Sequence, residues 1–141
     1  MNMKLYFVTG NQNKVGSFKM LMQPEFKVEW FNPPEEIPEL ESPSVKEVAV
    51  DKLEKAFLQF PDVDGFLFVT DCGFYIEQLK GRPGTLIKRE TMKLGGSFSA
   101  WCDCLDASKP RDAYVQFVIA AKDSQGNRVL IEHRTEGRIP K

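Results

Sequence analysis

A hydroxyl, a glycine, three amides and a lysine follow one another at Thr9-Gly10-Asn11-Gln12-Asn13-Lys14. A strand that passes into a helix through Gly and Asn leaves backbone N–H groups facing outward at the positive end of the helix dipole. A lysine beside them adds a full charge, and the result suits an anion such as phosphate. A helix start capped by Asn, with no ligand at all, accounts for the same residues. Other residues able to do chemistry lie further along. Glu35, Glu36, Glu39 and Glu41 crowd one proline-rich loop, Asp71 follows an apolar run, and Lys46, Lys52, Lys55 and Lys88 are spread over two helical stretches. Carboxylate oxygens hold Mg²⁺, Mg²⁺ bridges phosphate oxygens, and lysines neutralise the remaining charge. By residue type alone, an acid in such a loop reads first as a solvated charge, and Asp71 equally as a turn former bonding its own backbone.

The elements that must position these groups are legible in outline. Leu5-Tyr6-Phe7-Val8 has strand character, and Val15, Phe18, Leu21 and Met22 recur at helical spacing over 12–22, where Pro24 ends the pattern. Phe26 to Trp30 alternates as a half-buried strand does. After the loop of residues 32–43, Ser44 opens a long helix running to Phe60. Ser44-Val45-Lys46-Glu47 matches a capping box, which gives Glu47 a structural duty. Phe66-Leu67-Phe68-Val69 lacks polar alternation and reads as a strand buried on both faces, expected to stop at Thr70-Asp71-Cys72-Gly73. A carboxylate at the end of a central strand lies where open α/β sheets place ligands. Residues 74–79 resume extended structure, 81–84 form a tight turn, and helix begins near Thr85 and carries Lys88. Residues 97–105 suggest a further helix, and 113–121 pairs with 128–135 as a hairpin about 123–127. The order β-α-β-α-β-β-α-α-β-β predicts an α/β fold, a mixed central sheet flanked by helices, with residues 1–141 as a single domain.

The bulk composition narrows the function. The chain has 141 residues, 42% of them hydrophobic and 28% charged, with a net charge of −1. Such a balance gives no broad basic face for non-specific nucleic-acid binding, so a phosphate ligand must be held by a local cluster and a metal. The N-terminal apolar run is too short to span a membrane or to act as a leader. Three cysteines, Cys72, Cys102 and Cys104, lack paired metal spacing, and with His133 the only histidine a structural zinc is not expected. The chain reads as intracellular and reduced. No Walker motif or kinase signature is present, which excludes an ordinary P-loop ATPase.

In sequence order, Phe7 to Lys14, Ile37-Pro38-Glu39, Glu47 with Lys52, Phe68-Val69-Thr70-Asp71, Leu79 to Lys88 and Gly137-Arg138-Ile139 resemble the inosine triphosphate pyrophosphatase family. The resemblance covers essentially the whole chain. It implies Mg²⁺-dependent hydrolysis of non-standard purine nucleoside triphosphates (inosine, xanthosine and their deoxy forms) to monophosphate and pyrophosphate. A cytoplasmic homodimer that sanitises the nucleotide pool is implied as well, with no nucleic-acid or membrane partner. Carried over by position, Thr9, Gly10, Asn11, Gln12, Asn13 and Lys14 hold the triphosphate, and Lys52, Cys72 and Lys88 contact the nucleotide. Glu39 and Asp71 ligate magnesium, with Glu41 the nearby alternative to Glu39. Asp71, orienting or deprotonating the attacking water, and Lys14 form the catalytic set.

Two departures bear on that transfer. Thr70 stands where the family usually has a first acid, and Cys72 where it has a hydroxyl. The family's later Pro-Arg-Gly, aromatic-Gly-aromatic-Asp-Pro and Ser-His-Arg segments have no counterpart after Ile139, so the expected fold is a truncated one lacking the C-terminal part. A catalytically weak or inactive nucleotide-binding or partner-binding module on the same fold is the alternative reading.

Overall fold

The computed structural model describes residues 3–140. Its elements are strands β1 (Met3–Val8), β2 (Phe26–Phe31), β3 (Phe66–Ile76), β4 (Arg82–Gly84), β5 (Asp112–Lys122) and β6 (Arg128–Arg138), with helices α1 (Gln12–Met22), α2 (Val45–Gln59), α3 (Ile87–Lys93) and α4 (Ala100–Asp103). The strands form one mixed sheet in the order β2-β1-β3-β5-β6, with β4 also paired to β3. β1 runs parallel to β2 and to β3, whereas β5 is antiparallel to β3 and β6 to β5. The helix α1 supplies the crossover that parallel neighbours require.

The apolar residues sort into two layers by strand alternation. Tyr6, Val8, Leu67, Val69, Val118 and Ala120 face one way and pack on Val45, Ala49, Leu53 and Ala56 of α2. Phe7, Val28, Phe68 and Ala121 face the other way and meet Val15 of α1. Phe7 stacks on Phe68 with ring centroids 4.5 Å apart, and Phe18 of α1 closes on both. The helix-on-sheet-on-helix arrangement agrees with the predicted mixed α/β sheet flanked by helices.

The N-terminus of α2 uses a variant of the predicted capping box. The Ser44 hydroxyl accepts from the Glu47 amide at 3.2 Å. Glu47 does not reach the Ser44 amide directly; Ser42 stands between, accepting from Ser44 N at 3.2 Å and donating to Glu47 Oε2 at 2.6 Å. Glu47 is thereby committed to structure.

Several sequence expectations need correction. β3 does not stop at Thr70-Asp71-Cys72-Gly73 but runs through it, because β5 pairs with every residue from Leu67 to Ile76, including Asp71 opposite Val118 and Gly73 opposite Gln116. Gly73 is needed there for close approach: a Cβ would lie 2.6 Å from the Tyr75 ring and 2.8 Å from Val45. Residues 77–79 form a 3-10 turn rather than extended chain, and Arg82–Gly84 pairs with β3 instead of forming only a turn. The helix expected over 97–105 is confined to Ala100–Asp103, since bonds of three-residue spacing, such as Trp101 N to Phe98 O and Cys104 N to Trp101 O, wind the flanks too tightly.

One property of β3 positions the site. On the side away from β5 it pairs with β1 at Phe66–Phe68 and with β4 at Phe74–Ile76. Residues 69–73 have β5 as their strand neighbour and no other. The sheet forks at the level of Asp71.

Candidate active site at the fork of the sheet

The turn after β1 sits at this fork. Thr9 N donates to Phe31 O at 3.3 Å, which continues the pairing with β2 by one bond. Asn11, in extended conformation, caps α1 by accepting from Asn13 N at 3.0 Å, while its own amide donates to Thr9 Oγ1 at 3.1 Å. These bonds fix the entry to the helix and leave Gly10 and Lys14 exposed. The Trp30 indole N–H donates to Thr9 O at 2.8 Å and pins the turn from β2. This contact spans 21 residues and had no local signal in the sequence.

A cleft of about 380 Å³ opens here, and Thr9, Gly10, Lys14, Glu39, Lys52 and Thr70 are among its lining residues. Glu36 of the acidic loop also lines it, as does Asn32, which the sequence had not singled out. Lys52 is brought in by α2, where its side chain is 19% exposed; its Nζ lies 3.6 Å from Glu39 Oε1 and donates to Thr70 O at 3.3 Å. Glu39 is held only from this side and remains 61% exposed. The neighbouring Lys55 donates to Pro38 O at 3.1 Å, which tethers the acidic loop to α2.

Asp71 is the next residue along β3 from Thr70. Burial is the largest influence on its carboxyl and raises its pKa above the ordinary value; Lys52 opposes this, Glu39 adds to it, and a Cys72 backbone bond and Lys14 oppose it. Its Oδ2 is buried and has no hydrogen-bond partner. A buried oxygen left without a partner costs roughly 1–3 kcal/mol, so a cation or water at that atom would be favoured.

The remaining sequence-selected residues lie elsewhere. Asn11 and Asn13 take part in the cap, and Gln12 begins α1 as an exposed residue. Cys72 is half-buried and by strand alternation faces away from Asp71; burial is the main cause pushing its thiol pKa up. Lys88 is exposed in the first turn of α3 and does not line the cleft. Glu41 is engaged by Arg89 and so, unlike Glu39, is drawn toward α3. A larger hollow of about 750 Å³ lies at the far end of β3, beside Tyr75, Tyr114 and Arg134. Tyr114 is covered by Tyr75 and by the Arg134 guanidinium, while Arg134 pairs with Glu136 and Arg138 with Asp112. Its aromatic and arginine groups are occupied by one another, whereas the cleft at the fork gathers carboxylates, lysines and a helix N-terminus around open space.

Among the described residues no three His, Cys, Asp or Glu side chains gather to hold a metal. Two carboxylates, Glu39 and Asp71 with its unpartnered Oδ2, are what the protein itself can offer. That donor set is hard and oxygen-only, and it fits a Mg²⁺ that takes further oxygens from phosphate and water.

A forked α/β sheet that brings a helix N-terminus, lysines and carboxylates together at the fork has the kinds of groups that phosphate chemistry uses. The chain matches the family model described as Ham1 family over residues 5–141 and belongs to that family. It is similar to the dITP/XTP pyrophosphatase of Thermococcus kodakarensis, 31% identical over 97% of this chain and 70% of the relative. It is also similar to the inosine triphosphate pyrophosphatase of Kluyveromyces lactis, 28% identical over 96% of this chain and 69% of the relative. The fold agrees with the nucleoside-triphosphatase / dITP/XTP pyrophosphatase of Mycobacterium abscessus, with a TM-score of 0.72 at 19% identity over 97% of this chain and 74% of that one. A HAM1 protein from Coxiella burnetii superposes with a TM-score of 0.70 at 19% identity, covering 97% of this chain and 73% of that one. The family resemblance drawn from the sequence motifs is borne out.

Proposed function

We propose that this chain hydrolyses non-standard purine nucleoside triphosphates, those of inosine, deoxyinosine and xanthosine, to the monophosphate and pyrophosphate. The observation that supports this reading most directly is the cleft that joins the Thr9–Lys14 turn to Glu39 and Lys52 beside Asp71. The names of the sequence relatives supply the substrate class.

In this reading the N–H groups at the start of α1 and the Lys14 ammonium bind the polyphosphate, and Lys52 neutralises it from the opposite wall. A water oxygen attacks the α-phosphorus, and the bond from that phosphorus to the oxygen bridging the β-phosphorus breaks. The water proton passes to Asp71, whose raised pKa makes it a stronger base than an ordinary carboxylate. Pyrophosphate leaves while Lys14 and Lys52 hold its charge, so catalysis is mainly positioning and charge stabilisation. Magnesium, held by Glu39 and Asp71, would withdraw charge from the phosphate oxygens. Contacts from Cys72 and Lys88 to the nucleotide, a homodimeric assembly and a cytoplasmic setting belong to the same proposal. The outer strand β6, exposed along its length, supports the homodimer. No helix among the described residues is long and apolar enough to cross a membrane.

Incubation with inosine triphosphate and Mg²⁺, with separate assays for pyrophosphate and orthophosphate, tests the proposal. Pyrophosphate and inosine monophosphate in equal amounts are expected, with adenosine and guanosine triphosphates much poorer substrates. Orthophosphate as the direct product would move the cleaved bond and refute the reading.

A further inference from the structure

Lys52 occupies an unusual position for a substrate-binding lysine. Its ammonium pairs with Glu39 at 3.6 Å and is tied to Thr70 O at 3.3 Å. It is also the strongest charge acting on Asp71. One shielded ammonium therefore serves both carboxylates available to a metal. Lys14 adds a second, weaker positive influence on Asp71 without pairing to Glu39. Each carboxylate thus has a fixed positive charge acting on it before any metal arrives.

An ammonium and a small divalent cation compete for the same lone pairs. Mg²⁺ requires oxygens at about 2.0–2.1 Å and sheds its own water reluctantly, so it gains less from carboxylates that already face a fixed cation. We infer that Lys52 is a resident counter-cation that keeps Glu39 and Asp71 closed to free divalent ions. The metal enters as a complex with the nucleotide, whose phosphates draw Lys52 away on its flexible four-carbon stem. The inference rests on the nucleotide-hydrolase reading for the identity of the anion, but its central claim concerns the metal alone. Coupling of this kind restricts the hydrolytic centre to its loaded form.

The test is Mn²⁺ binding to the whole chain without nucleotide, read by the electron paramagnetic resonance signal of free Mn²⁺. Wild type should bind weakly, and Lys52→Met should bind at least about tenfold more tightly, equivalent to about 1.4 kcal/mol. Lys52→Arg keeps the charge and should bind as wild type does. Lys46→Met, which removes an exposed lysine of the same helix, should also leave Mn²⁺ affinity unchanged. Adding Glu39→Gln to Lys52→Met should abolish the gain. No gain in Lys52→Met, including failure of both proteins to bind, overturns the inference, provided circular dichroism shows the variant folded. Hydrolysis of inosine triphosphate by wild type, assayed in parallel, separates the two claims: activity with no gain sinks the counter-cation alone, and a gain without activity sinks the substrate alone.

Discussion

Replacing Asp71 with Asn separates the carboxylate's cost to the fold from its use in the reaction. The substitution keeps shape and removes charge. Burial raises the Asp71 pKa in the folded protein, against the partial opposition of Lys52. A carboxyl with a native pKa above its unfolded value binds its proton more tightly when folded. Its contribution is therefore favourable below the unfolded pKa and is lost as pH rises through the native one. At neutral pH the ionised Asp71 is a net cost, and Oδ2 has no hydrogen bond to offset it. An unpaired buried polar atom costs roughly 1–3 kcal/mol. Since Asn retains an acceptor and gives up the attraction of Lys52, a gain of about 1 kcal/mol is the expected balance. For a chain of 141 residues, ~2.1 cal/mol/K per residue converts that to about 3 °C in Tm. Scanning calorimetry without metal should find Asp71→Asn more stable than wild type near neutral pH, with the difference shrinking toward the unfolded carboxylate pKa of ~3.9. Pyrophosphate release should fall to the background rate in the same preparation. A lower neutral-pH Tm for the variant would mean that Lys52 outweighs burial, and the account of a strained carboxylate would be wrong.

Trp30→Phe keeps the ring and deletes the indole N–H that holds Thr9 O at 2.8 Å. One such bond is worth about 1 kcal/mol, so KM for the triphosphate should rise about fivefold with kcat little changed; steady-state kinetics would show the split. Gly73→Ala sets a methyl 2.6 Å from the Tyr75 ring and 2.8 Å from both its hydroxyl and Val45. Urea unfolding should register a loss of roughly 1–3 kcal/mol, as overpacking does, and an unchanged midpoint would show that Tyr75 swings clear.

The parts of the fold that were legible in sequence depend on local chemistry. Asn11 and Ser44 cap the helices their residue types announce, and the unalternating run Phe66-Leu67-Phe68-Val69 forms part of a central strand. Legibility failed where distant pairing decides. Thr70-Asp71-Cys72-Gly73 carries turn formers, yet ten consecutive partners on β5 keep it extended. Phe98, Trp101, Cys102 and Leu105 have helical spacing, but Gly95 and Gly96, both at positive φ, and the tight bonds after them leave only four residues helical. In the site, the type of each residue was readable and its company was not. Glu39 and Glu41 are indistinguishable as text; Lys52 turns one toward the cleft and Arg89 draws the other away.

The interrupted pairing along β3 has a mechanical consequence. A sheet ordinarily resists bending within its plane because ladder bonds tie each strand to both neighbours along its length. Here the β1–β2 wing and the β4–α3 wing grip separate stretches of the same strand, and among the described residues the five between, 69–73, have strand pairing with β5 alone, with Lys52 holding Thr70 O besides. Among the described strands no ladder bond joins the two wings directly. The cleft is bordered by Thr9 and Gly10 from the first wing, Lys52 from α2 and Thr70 from the shared strand, and its lining takes nothing from the β4–α3 wing. A ligand held there would load the first wing and the shared strand, with β5 and β6 paired along their full length as the backing.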